Sequence, residues 1–305
     1  MNEPTALRKY QERDAEVVDY NYVPLEGCSF AIRGPSHWAA GARRIACLGS
    51  AATFGRFVQN PFPAQIAQRL GASVINLGFG GARFETYLKE PAALAVCRQS
   101  DLVILELMSA RSYPSGLFRP HNHLTGKGKI GPELAKVLQK EDPDSPLLGK
   151  RVFVDNAHAW AAKNLDGEQL AKARDRLLAA YRRDAIRLID EIGKPVLLLW
   201  LSQRPIGQVS KPGSRNSWDC GFPHFVDGET VEHVRRSAVG LVEIVSTRGI
   251  PSPLTSKVTG QFANIAGGPA SHMNKYYPSP EMHDDAASKL CDFIAEFWRD
   301  ELGQT

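Results

Sequence analysis

Arg111 stands two residues after Ser109, where the apolar run Asp101-Leu-Val-Ile-Leu-Glu-Leu-Met108 gives way to a loop. A guanidinium in that position can hold a carboxylate, sulfate or phosphate through paired N–H donors, aided by loop amides. Arg56 and Arg83 lie on the loops that follow the two preceding apolar runs. Each is also an ordinary surface residue when taken singly, but three arginines on adjoining loops describe an anion pocket. Other polar groups are less well matched to a chemistry. His121-Asn-His123 has the spacing of a metal pair and brings no third or fourth ligand, so no metal is expected. Gly126-Lys-Gly-Lys129 is basic and flexible but lacks the strand and the spacing of a phosphate loop, and reads as a solvated tip. Trp218, near Cys220 and His224, can platform a sugar ring or pack within its own loop.

These loops must be positioned by the elements between them. Arg44-Ile-Ala-Cys-Leu-Gly49, Ser73-Val-Ile-Asn-Leu-Gly78, Asp101–Met108 and Pro195–Leu201 are short apolar runs without alternation, as strands covered on both faces require. Helices are expected from Pro63 to Leu70, from Pro91 to Arg98, and from a cap at Asp166 to the stop at Gly193-Lys-Pro195. A further helix is expected from Gly228 to Arg248, capped by Asp227, and a last one from Asp284 to Leu302. Strands alternating with helices imply right-handed crossovers and a doubly wound parallel sheet in three α/β/α layers, with ligands beyond the carboxyl ends of the strands. Residues 1–42 read as an N-terminal extension and 43–305 as one α/β domain. The stretches 109–165 and 203–226, rich in Pro, Gly, His and Arg, read as insertions over the site.

The turn Gly49-Ser-Ala-Ala-Thr-Phe-Gly55 after the first strand resembles the first signature block of the SGNH (GDSL-type) hydrolases. Gly49, Thr53 and Gly55 match that block, Ser50 occupies its aspartate position and Ala51 its nucleophile position. Asn76-Leu-Gly-Phe-Gly-Gly81 is similar to the second block, and the resemblance implies that Gly81 offers an oxyanion N–H. In the third block Ala110 stands where the family has an asparagine. Tyr276-Tyr-Pro-Ser-Pro-Glu-Met-His283 resembles the last block, with His283 at the histidine and Pro280 at the aspartate. The resemblance covers residues 43–300 in order. It implies a flavodoxin-like fold and a serine esterase or O-acyltransferase acting on acyl esters or acylated glycans, with the usual triad incomplete. For that chemistry Ser50 would be the nucleophile, His283 its base and Glu281 the orienting carboxylate. The alternatives are a turn hydroxyl for Ser50, a capping or packing ring for His283 and a surface carboxylate for Glu281. The rival function is a non-catalytic module holding an anionic or carbohydrate ligand through Arg111, Ser109, Arg56 and Arg83.

Composition narrows the remaining classes. The 305 residues, 43% hydrophobic and 23% charged, suffice for one large domain. A formal charge of +4 with scattered basic residues argues against nucleic acid and for a small-molecule or glycan ligand. No run approaches the ~20 apolar residues of a membrane span, and the charged N-terminus lacks a leader's apolar core. Five widely spaced cysteines fit a reducing cytoplasmic setting, and no cofactor is expected. Composition and spacing fix neither substrate nor oligomeric state.

Overall fold

Uninterrupted apolar runs pair into a buried sheet because both of their faces must be covered. The computed structural model describes residues 9–208, 221–265 and 272–303, so Trp218 and Cys220 lie outside the described residues. In chain order the strands are β1 (Tyr22–Val23), β2 (Ile32–Arg33), β3 (Arg44–Leu48), β4 (Ser73–Asn76), β5 (Leu102–Glu106), β6 (Phe118–Pro120), β7 (Lys127–Ile130), β8 (Val152–Phe153), β9 (Val196–Ser202), β10 (Gly240–Val245), β11 (Ser252–Pro253) and β12 (Met273–Asn274). The helices are α1 (Lys9–Asp14), α2 (Ala51–Phe54), α3 (Phe62–Leu70), α4 (Phe84–Leu88), α5 (Pro91–Arg98), α6 (Pro132–Glu141), α7 (Val154–Asn164), α8 (Gly167–Ile192), α9 (Gly228–Arg235) and α10 (Pro280–Gly303).

The central sheet runs β1-β2-β4-β3-β5-β9-β10. From β4 to β10 every pairing is parallel, while β2 joins β4 and β1 joins β2 antiparallel. The fold is thus α/β with a mixed, mostly parallel sheet. Two strands of the N-terminal segment extend its edge, with Arg33 opposite Asn76. Alternate residues feed two cores. Ile45, Cys47, Leu102 and Ile104 pack with Ile66 of α3 and with Leu290 and Ile294 of α10. Ala46, Leu48, Val103 and Leu105 pack with Leu94 of α5 and with Leu177 and Leu188 of α8. The expected cap of α8 is present, Asp166 accepting the Gln169 N–H at 2.8 Å, and the helix ends at Gly193 with φ 61°.

Three expectations need correction. The single helix over residues 228–248 is instead α9 followed by β10, which pairs in parallel with β9. Asp227 does cap α9, accepting from Thr230 N at 2.9 Å. Beyond it, Gly240 permits close approach of Phe293, whose ring would lie 2.5 Å from a Cβ there, and the β-branched run Val242-Glu-Ile-Val245 is suited to an edge strand. The last helix begins at Pro280, four residues earlier than the sequence pattern indicated, with the Ser279 hydroxyl accepting from Met282 N at 3.1 Å. Within 109–165, β6, β7 and β8 form a separate antiparallel sheet over a small core of Leu117, Phe118, Leu134 and Leu138, so Lys127–Lys129 is strand rather than a loop tip. Among the described residues no helix is long and apolar enough to cross a membrane.

The strand ends are fixed by close backbone approach. The Phe79 amide donates to the Gly49 carbonyl at 3.0 Å, and Gly78 has no room for a side chain, since a Cβ would meet the Phe54 amide nitrogen at 2.2 Å. Gly78→Ala is therefore expected to destabilise the protein by roughly 2–3 kcal/mol, near the upper end of ordinary overpacking, because backbone rather than a flexible side chain must move. Urea unfolding of the variant measures this, and an unchanged midpoint would refute the close approach.

Candidate functional site

The loop between β3 and α2 is held from below by one carboxylate. Ser50 caps α2 and Gly55 closes it in the left-handed region at φ 79°. Glu106, the last residue of β5, is 1% exposed and reaches under this turn. Its Oε2 accepts from Ser50 N at 2.8 Å, from Thr53 N at 3.0 Å and from the Thr53 hydroxyl at 2.6 Å; Oε1 accepts from the Ser50 hydroxyl at 2.5 Å. Burial pushes the Glu106 carboxyl above its ordinary range, and the donors from Ser50 and Thr53 oppose that shift. Gly49 must lack a side chain, because a Cβ would lie 2.3 Å from Glu106 Oε2. The next loop is tied to the same turn: Asn76 Nδ2 donates to the Thr53 carbonyl at 3.0 Å, and the Tyr87 hydroxyl donates to Gly49 O and Leu77 O.

The residues expected to form a triad are not brought together. The Ser50 hydroxyl is engaged by Glu106, and His283 is fully buried with its ring stacked on Phe62, centroids 5.8 Å apart. His283 Nδ1 accepts the Phe62 N–H at 3.1 Å, which leaves the proton on Nε2, a buried atom with no hydrogen-bond partner among the described residues. Burial, reinforced by the Arg33 charge, lowers the His283 pKa to about 3, so the imidazole is neutral. Glu281 is exposed, and its carboxylate lies against Gly249 rather than against the His283 ring. Pro280 opens α10. What the final loop delivers to the strand ends is Tyr276, Tyr277 and Pro278. The Asn274 side chain fixes this bend, Oδ1 accepting from Tyr276 N and Tyr277 N while Nδ2 donates to Tyr277 O.

A cavity of about 700 Å³ opens above these loops. Ser50, Ala51 and Ala52 line it beside Gly80 and Gly81, so the turn shows the cavity a methyl group at position 51. Gly81 has φ 87° and open space where a Cβ would stand. Among the described residues four cations reach the cavity: Arg13, Arg56, Arg111 and Lys127. Arg56 is clamped by the buried Asp14 at 2.7 and 2.9 Å and donates to the Tyr277 hydroxyl at 2.7 Å, with its guanidinium over the Tyr277 ring. Arg111 pairs with Asp155 at 2.9 Å, and Ser109 sits beside it, its hydroxyl 3.4 Å from the Arg111 amide. Arg83 departs from expectation. It is 1% exposed, turns away from the cavity and bonds Glu85 and the Asn122 carbonyl, because α4 folds it inward. His123 is likewise structural, with Nε2 2.9 Å from Glu90 Oε1, and among the described residues no cluster of three ligands fit for a metal occurs.

Arg33 supports the wall from behind. It donates to the carbonyls of Phe54, Gly55, Val58 and Gln59, which fixes the loop that carries Arg56. A second cavity of about 520 Å³ shares Phe222, Tyr276 and Pro278 with the first and holds His224, whose Nε2 lies 2.9 Å from the Tyr276 hydroxyl. Glu106, Arg13, Asp14, Asp155 and Tyr277 carry no assigned role in the sequence, and Lys127 lies in the stretch expected to be a solvated tip. For Glu106 one signal existed: it is the lone charge between Leu102 and Met108. The others are surface-type residues joined only by the folded chain.

The chain belongs to a family described as a domain of unknown function, DUF6473, whose model matches residues 8–123 and 161–298. Lys127, Phe153 and Asp155 thus come from the interval between the matched segments. No curated protein matches the chain. Among solved structures, the lipase Lip_vut3 from a goat rumen metagenome aligns with 81% of this chain and 96% of its own, at 12% identity and a TM-score of 0.39. A putative lipolytic protein of the G-D-S-L family from Desulfitobacterium hafniense DCB-2 aligns over 80% and 98%, at 13% identity and 0.38. A carbohydrate esterase family 2 enzyme with a carbohydrate binding domain, from Corynascus thermopiles (Myceliophthora fergusii), aligns over 87% and 68%, at 13% identity and 0.39. Likeness at this level assigns no activity.

Two outcomes follow from the buried groups. Glu106→Leu strands two amides and two hydroxyls and is expected to cost roughly 3–5 kcal/mol, whereas Glu106→Gln keeps an oxygen for the Oε2 donors and costs about 1–2 kcal/mol. Equal urea midpoints for the two variants would overturn the pinning role. For His283, the unfolded ring titrates near 6.5 and the folded ring near 3. As pH falls through that window the unfolded chain takes the proton first, so stability drops by up to about 1.4 kcal/mol per pH unit; above 6.5 the contribution is flat. His283→Asn, which retains an acceptor for Phe62 N, should show a shallower loss between pH 6.5 and 3, and parallel profiles would contradict a neutral buried ring.

Proposed function

We propose that the protein binds a small anionic ligand in the cavity at the strand ends, on a scaffold of SGNH type whose serine–histidine chemistry is not assembled. The order of the five parallel strands, with the second outside the first and the third, fourth and fifth following, fits the flavodoxin-like arrangement, in which ligands sit beyond the strands' carboxyl ends. The observation that carries the reading is the convergence of Arg13, Arg56, Arg111 and Lys127, from four separate stretches of chain, on one cavity. Arg56 and Arg111 are pre-oriented by Asp14 and Asp155, so less side-chain freedom is lost when a ligand binds. Gly81 supports the reading as a backbone donor at the wall, and Ser109 as a hydroxyl. Arg83 acts as a brace outside it. A volume of this size accommodates a small molecule or a short glycan. Unpaired thiols at Cys28, Cys47, Cys97 and Cys291 fit a cytoplasmic setting.

One observation favours a second reading, a serine esterase or acyltransferase. Ser50 lines the cavity while its hydroxyl contacts a desolvated carboxylate, so Glu106 rather than His283 would accept its proton. Against this, Glu106 already spends its other oxygen on three donors of the turn.

Isothermal titration of the full-length protein at low ionic strength with phosphate, sulfate and small carboxylates tests the binding reading. Saturable binding weakened about tenfold by Arg111→Gln is expected, equivalent to about 1.4 kcal/mol. The same samples are treated with a fluorophosphonate probe and an activated acetyl ester, with no labelling and no turnover expected. Labelling abolished by Ser50→Ala would replace the binding reading with the hydrolase, and absence of any anion binding would defeat it outright.

A further inference from the structure

Two of the four cations at the cavity arrive already matched. Asp14 grips Arg56 through both of its oxygens, and Asp155 takes Arg111. Arg13, from α1, and Lys127, the first residue of β7, line the same cavity, and among the described residues neither has a carboxylate within ion-pair distance. Lys127 lies instead with Nζ 4.4 Å from the centroid of the Phe153 ring, which holds its stem against the wall without cancelling its charge. Two positive charges from distant parts of the chain therefore face one concave volume without a paired carboxylate among the described residues, and a concave surface of one sign strengthens the field within it.

The remaining walls describe the body that accompanies the charge. Phe153, Val154, Phe222 and Pro278 are apolar, and Ser109, Ser112 and Thr125 offer hydroxyls between them. A bare inorganic ion would leave those surfaces wet and unused.

Building on the anion-binding reading above, we infer that the ligand is a phosphate monoester of a small hydroxylated compound, such as a sugar phosphate. A phosphate monoester carries nearly two negative charges at neutral pH and three strong acceptor oxygens. It neutralises Arg13 and Lys127 together and accepts from the oriented forks of Arg56 and Arg111. Sulfate esters, phosphodiesters and monocarboxylates carry one charge and leave one of the two cations unmatched.

The test is isothermal titration of the full-length protein at pH 8 and low ionic strength, using glucose 6-phosphate, glucose 6-sulfate, gluconate, succinate and inorganic phosphate as probes. Glucose 6-phosphate is expected to bind at least about tenfold more tightly than glucose 6-sulfate, since it forms one further charge pair near the protein surface. The double variant Arg13→Gln/Lys127→Gln should lose that preference while keeping weak binding of the sulfate ester through Arg56 and Arg111. Both side chains are exposed, and an unchanged melting temperature confirms that the variant folds. Equal affinities for the phosphate and the sulfate ester would overturn the dianion inference and leave anion binding intact. Succinate or inorganic phosphate binding as tightly as glucose 6-phosphate would overturn the ester. If no probe binds, the inference falls together with the reading on which it rests.

Discussion

A buried carboxylate holds the strand ends together, and among the described residues no cation pairs with it. Glu106 is buried at the tip of β5, where an ionised group is costly unless its oxygens are satisfied. Two amides and two hydroxyls from Ser50 and Thr53 satisfy them, and the amides belong to the first turn of α2, where partial positive charge gathers. The arrangement works in both directions. The turn supplies the donors that keep Glu106 tolerable, and Glu106 fixes the turn's orientation on the sheet. Gly49 and Gly78 follow as necessities, because a Cβ at either would meet Glu106 or the backbone at Phe54. The same geometry directs the Ser50 hydroxyl toward the sheet and leaves Ala51 at the cavity wall.

Much of this scaffold is legible in the chain. The apolar runs from Arg44, Ser73, Leu102 and Val196 form strands because their composition tolerates burial on both faces, and the Gly49–Gly55 turn is marked by glycines at its two ends. The stretch 228–248 is ambiguous on periodicity alone, because Val231, Val234, Ala238, Leu241, Val242 and Val245 satisfy a helical face while residues 240–245 also suit a strand. Tertiary pairing with β9 decides it. His283 shows a different limit. Its place in a block resembling the hydrolase motif is plain in the sequence, but whether a ring at the start of a helix faces the cavity or the core depends on where that helix begins. With α10 starting at Pro280, His283 falls on the face that packs against α3, beside Phe62.

The cationic wall was only half visible for a related reason. Arg56 and Arg111 can be placed at strand ends because the strands can be placed. Arg13 and Lys127 belong to a segment that adds to the sheet's periphery and to an insertion with its own small core, and no local pattern states which way either will face. Arg83 resembles Arg56 and Arg111 in the sequence and differs in fate because Glu85, two residues on, and the Asn122 carbonyl draw it inward.

The N-terminal segment is therefore part of the site's mechanics. Asp14 is fully buried and its two oxygens meet Arg56, and the Tyr20 hydroxyl accepts the Phe57 amide at 2.9 Å, so residues 14–20 grip the loop whose carbonyls Arg33, stacked over the Tyr20 ring, also holds. A loop held by both sets of contacts presents Arg56 in one orientation, and Arg56 in turn donates to Tyr277, on the bend that Asn274 sets. From Asp14 to Tyr277 the chain of contacts is polar at every step and lies along the cavity's edge. An imidazole could not complete a triad by moving alone, since His283 belongs to the packed face of α10 and leaving it would strip the Phe62 amide of its acceptor. The site's polar machinery is organised around fixed positive charge, and the proposed recognition of negative charge asks of it no moving proton.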